Sequence, residues 1–245
     1  MRVIILKNSD ETAKWSAYRI AKEMLKFKPT PEKPFVLGLP TGSTPLKTYK
    51  ELINLYNEGI ISFENVITFN MDEYVGLSPD NEQSYHYFMH EHFFKFINIK
   101  PENINIPNGM APDLYAECSR YSNLLKNATI DLQILGIGTN GHIAFNEPGT
   151  FFDSETHVTT LTPETIEANS RFFKNIKDVP IQALTMGLGE IMKAKKILLL
   201  ATGKSKANAI RNLMSGVVSI EQPASVLKRH PNVTVIVDKE AAGQE

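Results

Sequence analysis

The chain has 245 residues, of which 42% are hydrophobic and 22% are charged, and its formal net charge is -1. This length fits one large α/β domain or two small ones, and it is sufficient to bury a sizeable core. The balanced charge gives no electrostatic support for a nucleic-acid partner, and no apolar run is long enough to predict a transmembrane helix.

The cysteine content and the first residues of the sequence indicate the cellular compartment of the protein. Cys118 is the one cysteine of the sequence, so neither an intrachain disulfide nor a cysteine zinc cluster can form. The start, MRVIILKN, has an apolar run too short for a signal peptide, and it is interpreted as a first strand. We therefore expect a cytoplasmic protein of enzyme size.

Short apolar and β-branched runs alternate with segments of helical periodicity along the whole chain. Strands are predicted at residues 3–6, 35–39, 66–70, 103–106, 131–135, 157–161, 196–200 and 233–237. Helices are predicted at residues 10–27, 45–56, 84–97, 112–126, 163–169, 183–193 and 206–214. This alternation, without an internal repeat, predicts a single doubly wound, Rossmann-like α/β domain over residues 1–245, with a mostly parallel sheet and helices on both faces.

The second strand is followed by the sequence PTGSTP and by a helix that is predicted to begin at Pro45, with Thr44 at the N-cap. The turn of Thr41, Gly42, Ser43 and Thr44 would then precede a helix N-terminus, where free N–H groups and the helix dipole favour an anion. An ordinary capped turn has the same composition, so the turn alone leaves phosphate binding as one of two interpretations.

Two acidic residues follow the third strand, in the sequence FNMDEY. Asp72 and Glu73 are expected in a loop just past the carboxyl end of the strand, where open α/β sheets bind ligands. Adjacent acids in a loop are usually solvated surface charges, so a surface role and a functional role remain equally open.

The helix predicted at residues 84–97 contains His86, His90 and His92. Because His86 and His90 are four residues apart, they share a helix face, as a metal-binding pair would. No nearby cysteine and no H-E-x-x-H pattern accompanies them, and this disfavours a metal site. We therefore predict no metal ligands here.

The sequence ILGIGTNGHIAFNEP, at residues 134–148, follows the fifth predicted strand and contains the densest group of candidate site residues. Its glycines let the backbone turn tightly and approach a ligand. His142 can titrate near neutrality, and Glu147 can orient a histidine or transfer a proton itself. A catalytic site is therefore predicted at the carboxyl end of this strand.

Three glycines of this segment, Gly136, Gly138 and Gly141, also match the dinucleotide fingerprint G-x-G-x-x-G. That fingerprint needs a helix that continues from its third glycine, whereas Pro148 ends this segment soon afterwards. It usually opens a domain, and here it lies past the middle of the chain. A dinucleotide-dependent oxidoreductase is therefore retained only as a weak alternative.

Cationic candidates lie in the second half of the chain. Arg171, in the sequence NSRFF, is a bidentate donor that suits phosphate. Lys204 and Lys206 lie in a second strand–loop–helix turn, ATGKSK, which is not a Walker A loop because Leu198 stands where its first glycine would be. Together with the turn at residues 41–44, Arg171 and Lys206 could hold the phosphate of a sugar phosphate.

Four motifs, LPTGSTP, FNMDEY, GHIAFNEP and NSRFF, occur in this order along nearly the whole chain. In this order and spacing they resemble the glucosamine-6-phosphate deaminases of the glucosamine/galactosamine-6-phosphate isomerase family. The resemblance implies an aldose–ketose isomerising deaminase of amino-sugar catabolism, which converts glucosamine 6-phosphate and water to fructose 6-phosphate and ammonia. It implies a small-molecule sugar phosphate as the partner, no metal or organic cofactor, and either a monomer or a homo-oligomer.

The positions within these motifs imply a role for each candidate. His142 would deliver a proton to the ring oxygen, Glu147 would hold and polarise the imidazole, and Asp72 would move a proton from C2 to C1. The phosphate-binding residues that the resemblance implies are Thr41, Gly42, Ser43, Thr44, Arg171 and Lys206.

The sequence departs from some family members at two places. Asn140 stands where several members have aspartate; asparagine cannot ionise, but it can orient a neighbour, so we interpret it as a tuning position within the catalytic site. Allosterically activated members have a longer C-terminal tail, and they have basic residues shortly after NEP. The positions of this chain that match those basic residues are His157 and Thr159. We therefore expect no strong activation by N-acetylglucosamine 6-phosphate.

The resemblance extends to 6-phosphogluconolactonases and to the sugar-phosphate-sensing domains of bacterial regulators. A sensor would bind the phosphate without turnover, and a lactonase needs no proton abstraction at C2. The presence of Asp72, His142 and Glu147 argues against a pure sensor. A lactonase-like hydrolase or a non-catalytic sensor nevertheless remains the alternative function.

Overall fold

The computed structural model describes residues 1–244, in which strands and helices alternate. The strands are β1 (Arg2–Leu6), β2 (Phe35–Leu39), β3 (Val66–Asn70), β4 (Asp72–Tyr74), β5 (Ile104–Asn105), β6 (Leu132–Leu135), β7 (His157–Thr160), β8 (Gln182–Thr185), β9 (Ile197–Ala201) and β10 (Val233–Asp238). The α-helices are α1 (Ser9–Phe27), α2 (Ser43–Asn57), α3 (Tyr85–His92), α4 (Leu114–Asn127), α5 (Pro163–Ser170), α6 (Leu188–Ile191) and α7 (Ala207–Ser215).

Seven strands form a parallel sheet in the order β1-β10-β9-β6-β2-β3-β5. The chain runs outward from β2 to β3 and β5, and then returns to β6 on the other side of β2. From β6 it proceeds outward to β9 and β10. The neighbours β2 and β6 are therefore the topological switch point, at which an open α/β sheet has a crevice at the carboxyl ends of its strands.

Helices cover both faces of this sheet, because alternate strand residues pack into two separate hydrophobic layers. Leu198 and Leu200 of β9 pack in the layer that contains α1, α2 and α3. Leu199 and Ala201 of the same strand pack in the layer that contains α4, α6 and α7. All residues of β2 and β9 are buried, as expected for parallel strands covered on both faces. The predicted fold class is confirmed.

A second, smaller sheet has the antiparallel order β4-β8-β7. It corrects two predictions, because Asp72 and Glu73 lie in strand β4 and not in a loop, and because residues 183–193 are not one helix. Residues 182–185 form β8, and only residues 188–191 are helical. Pairing of β8 with β4 and β7 outweighs the local helical periodicity, and Gly187 packs so closely on Ser154 that an added Cβ would lie 2.1 Å from its carbonyl oxygen.

Two helix boundaries also differ from the prediction. Helix α2 begins at Ser43 and is preceded by Gly42 at the N-cap, with φ of 95°, so Thr44 lies inside the first turn and not at the N-cap. Glycine adopts this left-handed conformation without steric penalty, and Pro45 is tolerated because first-turn N–H groups have no intrahelical acceptor. Helix α3 ends at His92, before a 3₁₀ turn at Phe94–Phe96. No helix within residues 1–244 combines the length and the apolarity that a bilayer crossing needs.

Candidate active site

A cavity of about 790 Å³ lies at the switch point, between the segments that follow β2, β3, β6 and β9. Residues 163–173, which comprise α5 and the turn after it, contribute a further wall. Most of the site residues predicted from sequence line this one cavity, namely Thr41, Gly42, Ser43, Thr44, Asp72, Asn140, His142, Arg171 and Lys206. Glu147 contacts the ring of His142 from outside the lining.

One end of the cavity is suited to an anion. The N–H groups of the first turn of α2 lack intrahelical acceptors, and the helix dipole places partial positive charge there. The hydroxyl of buried Tyr49 donates to the carbonyl of Pro40, which fixes the backbone just before this turn. The turn is therefore held by the helix that it begins.

Two cations, Arg171 and Lys206, line the same cavity. Burial, together with the nearby positive charge of Arg171, lowers the pKa of the Lys206 ammonium. Within residues 1–244 neither side chain forms an ion pair with a carboxylate. Their positive charge is therefore available to a bound anion.

Asp72 contributes a buried carboxyl group to the cavity, with 6% of the residue exposed. Burial, and to a lesser degree the charge of Glu73, raises the pKa of Asp72 to about 8. Its Oδ1 has no hydrogen-bond donor among the side chains and backbone of residues 1–244. With this pKa, the carboxyl group of Asp72 is neutral over most of the physiological pH range.

Glu73 points away from Asp72, since consecutive strand residues face opposite sides. Its carboxylate accepts hydrogen bonds from the backbone N–H groups of Tyr74 (2.8 Å), Tyr85 (2.9 Å) and His86 (3.0 Å). It also lies 2.8 Å from Nδ1 of the His86 ring. The sequence alone did not distinguish the roles of these two acids, but the structure does. Asp72 faces the cavity, and Glu73 caps helix α3.

The His86 ring is engaged by this carboxylate. Among residues 1–244, no group of three or more His, Cys, Asp or Glu side chains is arranged to hold a metal ion.

His142, Glu147 and Asn140 form a connected group. Nδ1 of His142 lies 3.4 Å from Oε2 of Glu147. The same oxygen accepts a hydrogen bond of 2.9 Å from Nδ2 of Asn140, whose Oδ1 accepts from the backbone N–H of His142 at 3.1 Å. Asn140 therefore bridges the histidine backbone and the Glu147 carboxylate, without being charged itself.

Burial would raise the pKa of Glu147, but its partners outweigh that effect. The imidazole of His142, whose Nδ1 lies 3.4 Å away, together with hydrogen bonds from Thr165 and Asn140, lowers the pKa of Glu147 to about 2. Glu147 is therefore a carboxylate at neutral pH. It differs in this respect from Asp72, and such separation of two pKa values suits the two groups to different proton-transfer roles.

The glycine-rich loop is shaped around the histidine ring. A Cβ on Gly138 would lie 2.3 Å from Cε1 of His142, so only glycine leaves room for the ring. Ala144 adopts a φ of 54°, which is uncommon for a non-glycine residue. No helix continues from Gly141, since the backbone there forms an irregular turn that Asn146 ties to the carbonyl of Met186 (2.8 Å). The dinucleotide interpretation lacks its required helix and is wrong.

Sequence reasoning missed several lining residues, chiefly Tyr74, Tyr85, Phe145, Thr165 and Asn169. The rings of Tyr74 and Tyr85 lie 4.9 Å apart, and Nδ2 of Asn169 donates to the Tyr74 hydroxyl at 2.9 Å. The one available signal was that Thr165 and Asn169 are four apart on a predicted helix, and therefore on one face.

A cavity at the switch point of a parallel sheet, with unpaired cations and two carboxyl groups of different pKa, is the site of an enzyme for small phosphorylated substrates. Residues 7–236 match the family described as glucosamine-6-phosphate isomerases/6-phosphogluconolactonase, and the chain belongs to this family. The resemblance inferred from the four motifs is confirmed.

Individual relatives agree with this assignment. The chain is 58% identical over 243 residues to the glucosamine-6-phosphate deaminase of Thermoanaerobacter pseudethanolicus, covering 99% of this chain and 94% of the relative. It is 51% identical to that of Clostridium acetobutylicum, covering 99% of each. A solved monomeric glucosamine-6-phosphate deaminase superposes with a TM-score of 0.96 at 48% identity, covering 100% of both chains. A 6-phosphogluconolactonase from Leishmania guyanensis, with a TM-score of 0.76 at 20% identity over 98% of this chain and 97% of that one, shares the fold.

Proposed function

We propose that this protein is a glucosamine-6-phosphate deaminase, which converts glucosamine 6-phosphate and water to fructose 6-phosphate and ammonia. The observation that carries the proposal is that one cavity is lined by the buried Asp72 carboxyl, by His142 with its carboxylate partner, and by unpaired cations. Identities of 51–58% to deaminases over nearly the full chain support it.

The phosphate would bind at the α2 end of the cavity. The N–H groups and hydroxyls of residues 41–44 would contact its oxygens, and Arg171 and Lys206 would supply the countercharge. Binding energy obtained from the phosphate is remote from the reacting carbons, so it can position the sugar for the proton transfers.

Ring opening would use His142. The imidazolium donates a proton to the ring oxygen as the bond from C1 to that oxygen breaks, and the C1 hydroxyl releases its proton to water, which leaves an aldehyde at C1. The ionised Glu147 stabilises the imidazolium and holds the ring, and Asn140 fixes the carboxylate in turn.

Isomerisation would use Asp72, whose carboxylate removes the proton from C2 and returns it to C1, while a proton of the C2 ammonium passes to the C1 oxygen, so that C1 becomes an alcohol and C2 an iminium. Burial favours the neutral acid, since it raises the pKa of Asp72 to about 8. A substrate with an ammonium group at C2 brings a positive charge beside this carboxyl, and an opposite charge lowers the pKa of an acid. The substrate therefore generates the base that acts on it, and the resulting imine at C2 is hydrolysed with release of ammonia.

The proposal is tested by incubating the purified protein with glucosamine 6-phosphate, without added metal or nucleotide, and measuring both products. We expect ammonia and fructose 6-phosphate in equal amounts. Glucose 6-phosphate is the control, because it has a hydroxyl at C2 and releases no ammonia. A folded protein that binds the sugar phosphate but yields no ammonia would instead support a sensor, or a lactonase if it hydrolyses 6-phosphogluconolactone.

The kinetics are expected to be hyperbolic and unaffected by N-acetylglucosamine 6-phosphate. His157 and Thr159 provide no fixed cation where activated family members have basic residues, and Nδ1 of His157 lies 2.8 Å from the carbonyl oxygen of Glu155. Rate curves with and without the acetylated sugar test this point, and a sigmoidal curve that the compound makes hyperbolic would contradict it.

The likeness to a monomeric deaminase supports a monomer. Light scattering on the protein as it elutes from a size-exclusion column measures its molar mass and so tests this second point.

The proposed substrate also bears on location. A sugar phosphate is charged and does not cross a bilayer unaided, because burying an unpaired charge in an apolar medium is strongly unfavourable. The enzyme must therefore be in the compartment in which its substrate is phosphorylated, and we propose that this compartment is the cytoplasm.

A further inference from the structure

Thr165 makes a close polar contact with the Glu147 carboxylate. It lies in α5 with 4% of the residue exposed, and its Oγ1 donates to Oε1 of Glu147 at 2.5 Å. Thr162, the N-cap of α5, donates to Oγ1 of Thr165 at 3.2 Å. The two hydroxyls form a chain that ends on the carboxylate, and each bond of such a chain strengthens the next.

The two oxygens of Glu147 have separate partners. Oε2 faces Nδ1 of His142 and accepts from Asn140, whereas Oε1 accepts from Thr165 at 2.5 Å and has a longer contact of 3.4 Å with the Thr162 hydroxyl. The terminal torsion of a glutamate is broad and has little intrinsic preference. The Thr165 hydroxyl therefore sets the plane of the carboxylate, and so the direction from which Oε2 meets the imidazole.

The same helix leads to Arg171, one of the two cations that line the cavity. Asn169, one turn after Thr165, donates to the Tyr74 hydroxyl, and α5 ends at Ser170, directly before Arg171. A phosphate that holds Arg171 therefore restrains the end of the helix on which Thr165 lies. The helix is a physical link between the anion site and the histidine–carboxylate pair.

We propose that Thr165 is a positioning residue that aligns Glu147 with His142 when an anion occupies the Arg171 end of the cavity, so that ring opening is coupled to phosphate binding. This inference rests on the proposed deaminase function for its kinetic consequence, but the alignment itself depends only on the side chains. The hydroxyl group of Thr165, and not its methyl group, performs this alignment.

The kinetic test uses substitutions that separate the hydroxyl from the packing. Thr165→Val keeps the shape and removes the donor, and Thr165→Ser keeps the donor. Thr156→Val is the matched control, because the Thr156 hydroxyl also donates to a buried carboxylate, Oε2 of Glu190 at 2.7 Å, and neither residue lines the cavity.

Thr165→Val is expected to lower kcat about 10–100-fold, the usual effect of removing one hydrogen bond to a charged group, with little change in KM. Thr165→Ser and Thr156→Val are expected to stay within about threefold of the wild type. Equal kcat for Thr165→Val and an active wild type would overturn the inference, as would equal losses in Thr165→Val and Thr156→Val.

A second measurement does not depend on turnover. Inorganic phosphate is added to the wild type and to Thr165→Val, and the imidazole resonance of His142 is followed by NMR, assigned by its absence in His142→Gln. We expect a saturable shift in the wild type that falls to less than half in Thr165→Val. A shift of the same size in both proteins would overturn the coupling, even if the protein proved not to be a deaminase; a wild type that releases no ammonia would instead refute the proposed function.

Discussion

Asp72→Asn is expected to lower kcat for ammonia release by about 10²–10⁴-fold, the range for loss of a general acid–base group. The amide cannot accept the C2 proton, so isomerisation stops even though the sugar can still bind and open. Replacement with asparagine preserves the size of the side chain, so the cavity keeps its shape. Phosphate binding, measured as the Kd of inorganic phosphate, should therefore be unchanged.

The same substitution is expected to stabilise the fold at high pH. The pKa of Asp72 is raised from 3.8 to about 8, so the folded protein retains this proton where the unfolded chain has lost it. The wild type therefore loses stability as the pH rises from about 4 to about 8, whereas asparagine is neutral throughout. A shift of this size corresponds to a few kcal/mol at pH 8.5, at about 1.4 kcal/mol per pKa unit.

Denaturant unfolding at pH 5 and at pH 8.5 measures this effect. The stability advantage of Asp72→Asn should be larger at pH 8.5 than at pH 5. Glu73→Gln is the matched contrast, because the neighbouring carboxylate is hydrogen-bonded to three backbone N–H groups and to His86. Its loss should destabilise the fold. An active Asp72→Asn, or an advantage that does not grow with pH, would contradict the assignment of Asp72.

Much of the main sheet could be predicted from local sequence. The strands β2 and β3 have the predicted bounds, because their apolar runs end in Pro40 and in the polar residues after Phe69. The start of α2 could not be predicted in the same way. Thr44 is a good local N-cap, but the positive φ of Gly42 lets the helix begin one residue earlier than that cap.

The small sheet could not be predicted, because its pairing is non-local. Strand β4 has three residues, and Asp72 pairs with Thr185 across more than a hundred residues of chain. Neither partner shows a strong strand pattern alone. The helix predicted at residues 183–193 is wrong because strand pairing with β4 and β7 decides the structure there.

The residues of the candidate site also differ in how well they could be predicted from the sequence. His142, Glu147 and Asn140 lie close together in sequence, so their association could be expected from one motif. The contacts of Thr165 with Glu147 and of Asn169 with Tyr74 depend on where α5 packs, and no local pattern encodes them. The residues that we propose to contact the substrate were therefore easier to predict than those that hold them in place.

The cavity contains two groups whose charged forms are disfavoured by burial. Burial raises the pKa of Asp72 and, with Arg171 nearby, lowers the pKa of Lys206. Sites that are strained in this way reduce the stability of a protein and gain function in return. A substrate with an ammonium at one end and a phosphate at the other would supply a partner of opposite charge for each group.

Lys206→Met tests the phosphate end of this argument. Removal of one charged donor should raise KM for glucosamine 6-phosphate about 10–100-fold, with a smaller change in kcat, because the phosphate is remote from the reacting carbons. The fold should not lose stability, since the partly buried cation and its repulsion with Arg171 are both removed.

The matched control for this substitution is Lys204→Met, because Lys204 lies two residues away, is exposed and is not part of the cavity lining. It should leave KM within about threefold of the wild type. Equal effects of the two substitutions would mean that Lys206 acts only through general surface charge. A fall in kcat with unchanged KM would place Lys206 at the reacting carbons instead of at the phosphate. A rise in KM confined to Lys206→Met, in a protein of undiminished stability, would show that the cavity holds this cation for the substrate and not for the fold.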